Sequence, residues 1–241
     1  MVIKEIGMLV EKFGVRNLKI IDELFILKEE HYMTIVDLII QKGYDLNMWA
    51  YARVDSIKFE NLDKMKKAGI NWLGIGIESA SEHVRDGVNK KMREKDVKSV
   101  VRRIQDAGIR IGANYLFGLP DDTLDTMKET LDFALDLNAE MANMYCAMAY
   151  PGSKLYDMAI REGWTLPKEW HGYSQHSYET LPLPTKYLSS REVLKFRDDA
   201  WHKYYSSPAY LGLIEREFGI GQRKNIEELT KIRLKRRLLG D

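Results

Sequence analysis

Apolar residues at Ile3, Ile6, Val10 and Phe13 recur at the spacing of one helical face, and Gly14 follows where a left-handed cap closes a helix. The chain therefore opens on a helix over 3–13. NLKIIDELFIL (17–27) is rich in branched residues and reads as a strand, and the helical pattern through Ile35, Leu38 and Ile39 stops at Gly43. The unit then recurs. YDLNMWAYARV (44–54) predicts a strand, ENLDKMKKAG (60–69) a short helix closed by Gly69, and INWLGIGIE (70–78) a further strand. EKDVKSVVRRIQDAG (94–108) turns Val97, Val101, Ile104 and Ala107 inward as a helix, and IRIGANYLFG (109–118) follows as a strand. Asp122 or Thr123 can cap a helix over about 124–137, and EMANMYCAMAY (140–150) closes the series as a strand.

Strands joined by helices of this length lie parallel, because antiparallel neighbours need only a tight turn. The pattern therefore predicts an α/β fold: an incomplete parallel (β/α) TIM-like barrel that begins on a helix and lacks its first strand. Such a sheet has an open edge, which a missing N-terminal segment or domain is expected to cover. The last third changes character. Ser153 can cap a short helix ending at Gly163, and residues 164–187 hold three prolines, two tryptophans and three tyrosines without a period, which predicts an irregular loop. Ser189 with Glu192 forms a capping box for REVLKFRDDAWHKYY, and Asn225 with Glu228 repeats the device for a final basic helix through Leu239. The division expected is a core over 1–163 and a mostly helical C-terminal extension over 164–241.

Composition narrows the function classes. Lys plus Arg (37) nearly balances Asp plus Glu (36), so no overall field points to nucleic acid or a membrane surface. No stretch approaches the length of a membrane span, and the charged N-terminus is unlike a signal peptide, so the expected location is cytoplasmic. The lone Cys146 excludes an intramolecular disulfide and any site built on several cysteines. Between Met144 and Met148 it reads as a small core residue. His171 and His176 sit in the irregular loop at a spacing poor for chelation and read as surface residues.

In parallel α/β architectures ligands bind at the carboxyl ends of the strands. Those ends fall near Asp22 and Glu23, at Arg53 and Asp55, at Glu78 and Ser79, and from Asn114 to Gly118. Carboxylates gathered at a half-buried rim repel one another and call for a cationic partner. Taken singly, each is equally well a helix cap or a surface charge. Gly74-x-Gly76 invites a nucleotide-binding reading, but the third glycine of that fingerprint is absent and Glu78 would repel a pyrophosphate. The glycines instead thin the strand so that something flat can lie against its backbone, with Glu78 placed for hydroxyls or an ammonium group.

Five segments together resemble one family. IIDELF (20–25), WAYARVD (49–55), LGIGIESAS (73–81), FGLPDDT (117–123) and YPGSKLYDMAIREG (150–163) resemble, in order and approximate spacing, the radical S-adenosylmethionine (SAM) enzymes of the branch that carries an N-terminal cobalamin-binding domain. The resemblance implies a barrel holding SAM across its strand ends. Asp22 and Glu23 would meet the SAM amino group, Glu78 and Ser79 the ribose and methionine moiety, and Arg53 and Asn114 would face cofactor or substrate. It also implies a four-iron, four-sulfur cluster on a CxxxCxxC loop, which this chain lacks. A single cysteine cannot supply three thiolates, so the cluster, and cobalamin if used, belong to the parent enzyme. Asp121-Asp122 stands where the family has Gly-Glu.

The leading expectation is the C-terminal portion of a radical SAM enzyme whose parent methylates or rearranges a small metabolite or natural product, inactive alone. The alternatives are a divalent-metal barrel using Asp22, Glu23, Asp55 and Glu78, and a non-catalytic module that keeps the fold alone.

Overall fold

A computed structural model describes residues 1–86 and 94–241. Its elements in chain order are α1 (Val2–Phe13), β1 (Asn17–Lys19), α2 (Glu29–Lys42), β2 (Asn47–Ala52), α3 (Leu62–Lys67), β3 (Ile70–Glu78), α4 (Glu82–Asp86), α5 (Glu94–Asp106), β4 (Arg110–Phe117), α6 (Leu124–Leu137), β5 (Met141–Cys146), α7 (Lys154–Arg161), α8 (Ser190–Tyr205), α9 (Pro208–Phe218) and α10 (Ile220–Leu229). The strands follow one another in chain order in one five-stranded sheet, and β2 is parallel to both β1 and β3. The class is α/β, an incomplete parallel TIM-like barrel. By internal contacts the described residues form two compact units, 1–77 with 94–113, and 78–86 with 114–241.

In the first unit the strands alternate as a pleated sheet must. Met48, Ala50 and Ala52 of β2 and Leu73, Ile75 and Ile77 of β3 are buried, as are Ile35, Val36 and Ile39 of α2 and Val97, Val101 and Ile104 of α5. Each buried branched side chain contributes about 1.5–3 kcal/mol. The opposite strand positions carry rings. Trp49 stacks on Trp72 with centroids 5.5 Å apart, and Lys19 sits over Trp49 and Tyr51 at 5.7 and 5.4 Å. At the start of these strands Asn47 links its neighbours, donating to Asn17 at 2.8 Å and accepting from Asn71 at 3.1 Å. Gly14 and Gly43 cap α1 and α2 in the left-handed conformation, as the sequence predicts.

The strand expected over 17–27 is much shorter. β1 ends at Lys19, and Asp22 then bends the chain by accepting the Leu24 N–H at 3.0 Å, which leaves Ile21 83% exposed. The branched residues there are not strand residues. A side-chain carboxylate that bonds two residues ahead competes with the ladder.

In the second unit α8 packs on β5, with Cys146 and Met148 against Val193 and Leu194, and Phe117 edge-on to Phe196 at 5.2 Å. Gly118 is the passage from β4. Its φ is +81°, and a Cβ there would stand 2.4 Å from the Val193 side chain. Thr123 caps α6 in a reciprocal box with Thr126, while Asp122, buried, accepts the N–H groups of Gly118 and Leu119 at 3.0 and 2.9 Å. Desolvation raises the Asp122 pKa above the ordinary carboxylate value, against those hydrogen bonds. Ser153 and the Ser189–Glu192 box cap α7 and α8 as predicted.

The C-terminus differs from its sequence reading. α9 was not foreseen, Asn225 lies inside α10, and the basic run 233–237 is not helical except for a last turn from Arg237 to Leu239. Arg236 is fully buried and grips Asp198 with two bonds of 2.9 and 3.0 Å. A buried ion pair, which sequence spacing cannot reveal, stands where a basic helix was expected.

Candidate functional site

β3 delivers the central residue. Its alternation holds Ile75 and Ile77 in the core, and Glu78 at its carboxyl end is half-buried with φ at +68°. Left-handed backbone is costly for a residue with a Cβ, and such positions persist where the surroundings over-determine them, often at functional sites. Here the surroundings belong to α6. The Thr130 hydroxyl lies 3.1 Å from that of Ser79 and accepts the Ala80 N–H at 3.0 Å, while Ser79 Oγ accepts the Ser81 N–H at 3.2 Å. Thr130 in turn donates to the Thr126 carbonyl at 3.0 Å. The turn after Glu78 is thus bolted to a helix, and the bonds that join Ser79, Ala80 and Ser81 to the bolt are buried.

This arrangement separates two residues that the sequence groups together. Glu78 keeps some exposure, whereas Ser79 is wholly buried and its hydroxyl is engaged with Thr130 and Ser81. Thr130 escaped the sequence reading. It stands 51 positions from Ser79, on a helix whose inward face is marked by its apolar residues. In the same unit Asn114 is half-buried on β4 and accepts a 2.9 Å hydrogen bond from Asn143 of β5.

The first unit holds the other three predicted residues. Asp22 and Glu23 share one exposed turn beyond β1, where Asp22 caps the turn as described. Arg53, just past β2, is engaged by its own neighbour, with Nε to Asp55 Oδ1 at 2.9 Å and the second nitrogen to Oδ2 at 2.6 Å. That pairing raises the Arg53 pKa. Both partners are half exposed, so the pair contributes well under 1 kcal/mol.

Of the two glycines expected to thin the wall, Gly74 faces the protein's own side chains, as does Gly112 of β4. A Cβ on Gly74 would stand 2.7 Å from the Tyr51 ring, and one on Gly112 would stand 2.2 Å from the Trp49 ring. The flat group lying against the strand backbone there is therefore the protein's own aromatic side chains. Trp49 Nε1 is buried without a hydrogen-bond partner among the described residues.

These residues bear on two chemistries. Among the described residues no three His, Cys, Asp or Glu side chains gather closely enough to hold a metal ion, which leaves the divalent-metal reading without a ligand set. An iron–sulfur cluster needs several thiolates. The sequence has one cysteine, and Cys146 is buried in β5 with its thiol pushed up to about 11 by desolvation, only partly opposed by the Arg197 charge. The residues present do not fit a cluster.

The sequence profile of the Radical SAM superfamily matches residues 5–134. An uncharacterized methyltransferase, PH0819, of Pyrococcus horikoshii is 26% identical over 210 residues, which covers 87% of this chain and 45% of that protein. The anaerobic magnesium-protoporphyrin IX monomethyl ester cyclase of Cereibacter sphaeroides is 26% identical over 212 residues, covering 86% of this chain and 34% of its own. Among solved structures, the cobalamin-dependent SAM radical enzyme OxsB with aqua-cobalamin bound superposes with a TM-score of 0.60 at 14% identity, over 95% of this chain and 40% of that one. The radical SAM methyltransferase TsrM from Kitasatospora setae, with cobalamin and a [4Fe-4S] cluster bound, gives 0.55 at 19% identity over 60% and 30%. The chain thus spans less than half the length of these relatives. No helix among the described residues is long and apolar enough to cross a membrane.

Proposed function

Because this chain belongs to the radical SAM superfamily, we propose that it supplies the SAM-binding strand ends of an enzyme that methylates or rearranges a small metabolite or natural product. The observation that carries this reading is Glu78, an acidic residue held in left-handed backbone at the end of a buried strand by the Ser79–Thr130 bolt. A carboxylate fixed in this way suits the hydroxyls or ammonium group of SAM, and pre-organised placement removes an ordering cost on binding. Ser79 then acts through Glu78, as a positioning residue. In the same reading Asp22 and Glu23 would meet the SAM amino group, and Arg53 and Asn114 would face cofactor or substrate.

SAM, once bound, brings the transferable group and its chemistry; the residues named here bind and orient it. The cluster does not fit Cys146, so its thiolates come from a segment outside this sequence, and the chain alone is inactive. That segment would also cover the open edge of β1, beside which Ile21, Leu24 and Leu27 are exposed. The chain is then the C-terminal portion of a longer cytoplasmic enzyme, with residues 1–163 as its core and 164–241 as its extension. The names of the methyltransferase and of the cobalamin-binding neighbours support a parent that also uses cobalamin.

Equilibrium dialysis against labelled SAM tests the assignment. Saturable binding is expected, weakened about tenfold or more by Glu78→Gln, which removes one charge-assisted contact. A Glu179→Gln control on the irregular loop should bind as the unaltered chain does. Equal binding by Glu78→Gln, or binding by neither, refutes it.

A further inference from the structure

β5 is the last strand in the sheet order, and its free margin is finished by side chains. Alternate residues of a strand send their N–H and C=O groups to opposite sides. Ala147 donates to the Phe117 carbonyl at 2.8 Å, so the odd positions face β4 and the even ones, Ala142, Met144 and Cys146, face away from it. The Tyr205 hydroxyl accepts the Ala142 N–H at 3.1 Å and donates to its carbonyl at 2.9 Å. The Gln175 side chain does the same for Cys146, at 3.0 and 2.9 Å. Met144 lies between these two caps and is met by neither.

Met144 instead lines a cavity of about 590 Å³ that lies wholly within the second unit. One wall is α8, which with the C-terminal segment brings Arg191, Lys195, Arg197 and Arg233 to it, together with Asp198, Asp199 and Asp241. The aspartates of α8 are each shared by two cations: Asp199 lies 2.5 Å from Lys195 and 3.3 Å from Arg233, and Asp198 lies 2.9 Å from both Arg197 and Arg236. Arg191 donates to the Leu238 carbonyl at 3.2 Å. Arg197 is 3% exposed, and its Nε–H is buried without an acceptor among the described residues. The other wall is apolar, with Trp201 of α8 facing Leu229, Ile232 and Leu234, the last three all substantially exposed.

We propose that this cavity binds a small organic carboxylate with an apolar body and an amide beside the carboxylate. The amide pairs with the N–H and C=O of Met144 as a one-residue extension of the sheet, the mode by which extended peptides join a free strand edge. The carboxylate enters the cationic wall, where guanidinium groups match its planar geometry. The apolar body covers Leu229, Ile232 and Leu234. The assignment rests on β5 and its surroundings and is independent of Glu78 and of SAM.

N-acetyl-L-leucine is the minimal probe, followed by ligand-observed NMR titration and by hydrogen exchange at the Met144 amide. In the free chain the Met144 amide is expected to exchange faster than those of Ala142 and Cys146, and saturating probe should slow it about tenfold or more. The methyl ester, which keeps the amide and the apolar body, should bind about tenfold more weakly, as should the acid to the Arg191→Gln, Lys195→Gln double variant. Both substitutions are at exposed positions of α8, so the fold should survive them. Equal binding of acid and ester, an unchanged Met144 amide under saturating probe, or no saturable binding up to about 10 mM would each overturn the proposal.

Discussion

Replacing Arg236 with methionine should loosen the whole C-terminal segment. The guanidinium is fully buried and makes five bonds: two to Asp198 at 2.9 and 3.0 Å, and one each to the Ser177 carbonyl at 2.8 Å, the Gln175 carbonyl at 3.1 Å and the Thr180 hydroxyl at 3.3 Å. Removing one partner of a buried pair costs about 3–5 kcal/mol, because the other charge is left uncompensated. Here Asp198 keeps Arg197 at 2.9 Å, and the Gln175 carbonyl keeps a bond from the same arginine. The lower end of that range applies, since the Ser177 carbonyl likewise keeps the Thr180 N–H at 3.3 Å and the Thr180 hydroxyl at 2.8 Å. With a urea slope of about 2 kcal/mol/M for a chain of this size, a loss of about 3 kcal/mol moves the unfolding midpoint down by about 1.5 M. The slope itself should not change. Asp198→Asn should cost at least as much, since it leaves both arginines without their carboxylate. A midpoint for Arg236→Met within about 0.2 M of the unaltered chain would show that the burial of this charge contributes nothing, and the reasoning would fail.

Gly112→Ala should force the Trp49 ring off the β4 backbone, because its Cβ would stand 2.2 Å from the indole. Overpacking of this kind costs about 1–3 kcal/mol, and an unchanged melting temperature with unchanged tryptophan fluorescence would contradict it. His176 and His202 should make stability fall in mild acid. Desolvation lowers the pKa of both, helped by Arg197 and Arg236 beside His176 and by Arg233 beside His202, against Asp198 and Asp199. The unfolded chain therefore binds more protons, and the stability gained from neutral imidazoles is complete above about pH 6.5 and is lost as pH falls toward the lowered values. The His176→Asn, His202→Asn double variant should flatten that slope in urea titrations at pH 5 to 7, and an identical slope would exclude the histidines as its source. Anaerobic incubation with iron and sulfide should leave this chain without the broad visible absorbance of a cluster, and stoichiometric cluster uptake would refute the exclusion of Cys146.

Much of this architecture can be read from residues that act locally. Gly14 and Gly43 close helices because their own backbone takes a positive φ, and Ser153 and the Ser189–Glu192 pair cap helices through bonds spanning three positions. β3 is legible as an apolar run that ends on Glu78, with Ile70, Leu73, Ile75 and Ile77 buried. The misreadings all involve distant partners or competing local bonds. Asp22 turns the chain that composition marked as strand, Asp198 draws Arg236 inside from 38 positions away, and Tyr51 takes the space beside Gly74. The site shows the same division. Glu78 can be found from its place at the end of an apolar strand, but its positive φ and its dependence on Thr130 exist only once α6 is packed.

The finish given to β5 by Tyr205 and Gln175 bears on self-association. A ribbon of copies stacked side by side needs two receptive borders on every molecule, and at this border the hydrogen-bonding groups on either side of Met144 are already spoken for. Growth through the remaining border, at β1, terminates once two molecules have met there. Concentrated chain in a sedimentation experiment should accordingly reach a dimer and go no further, and a ladder of higher species would mean that the border at β5 is open after all.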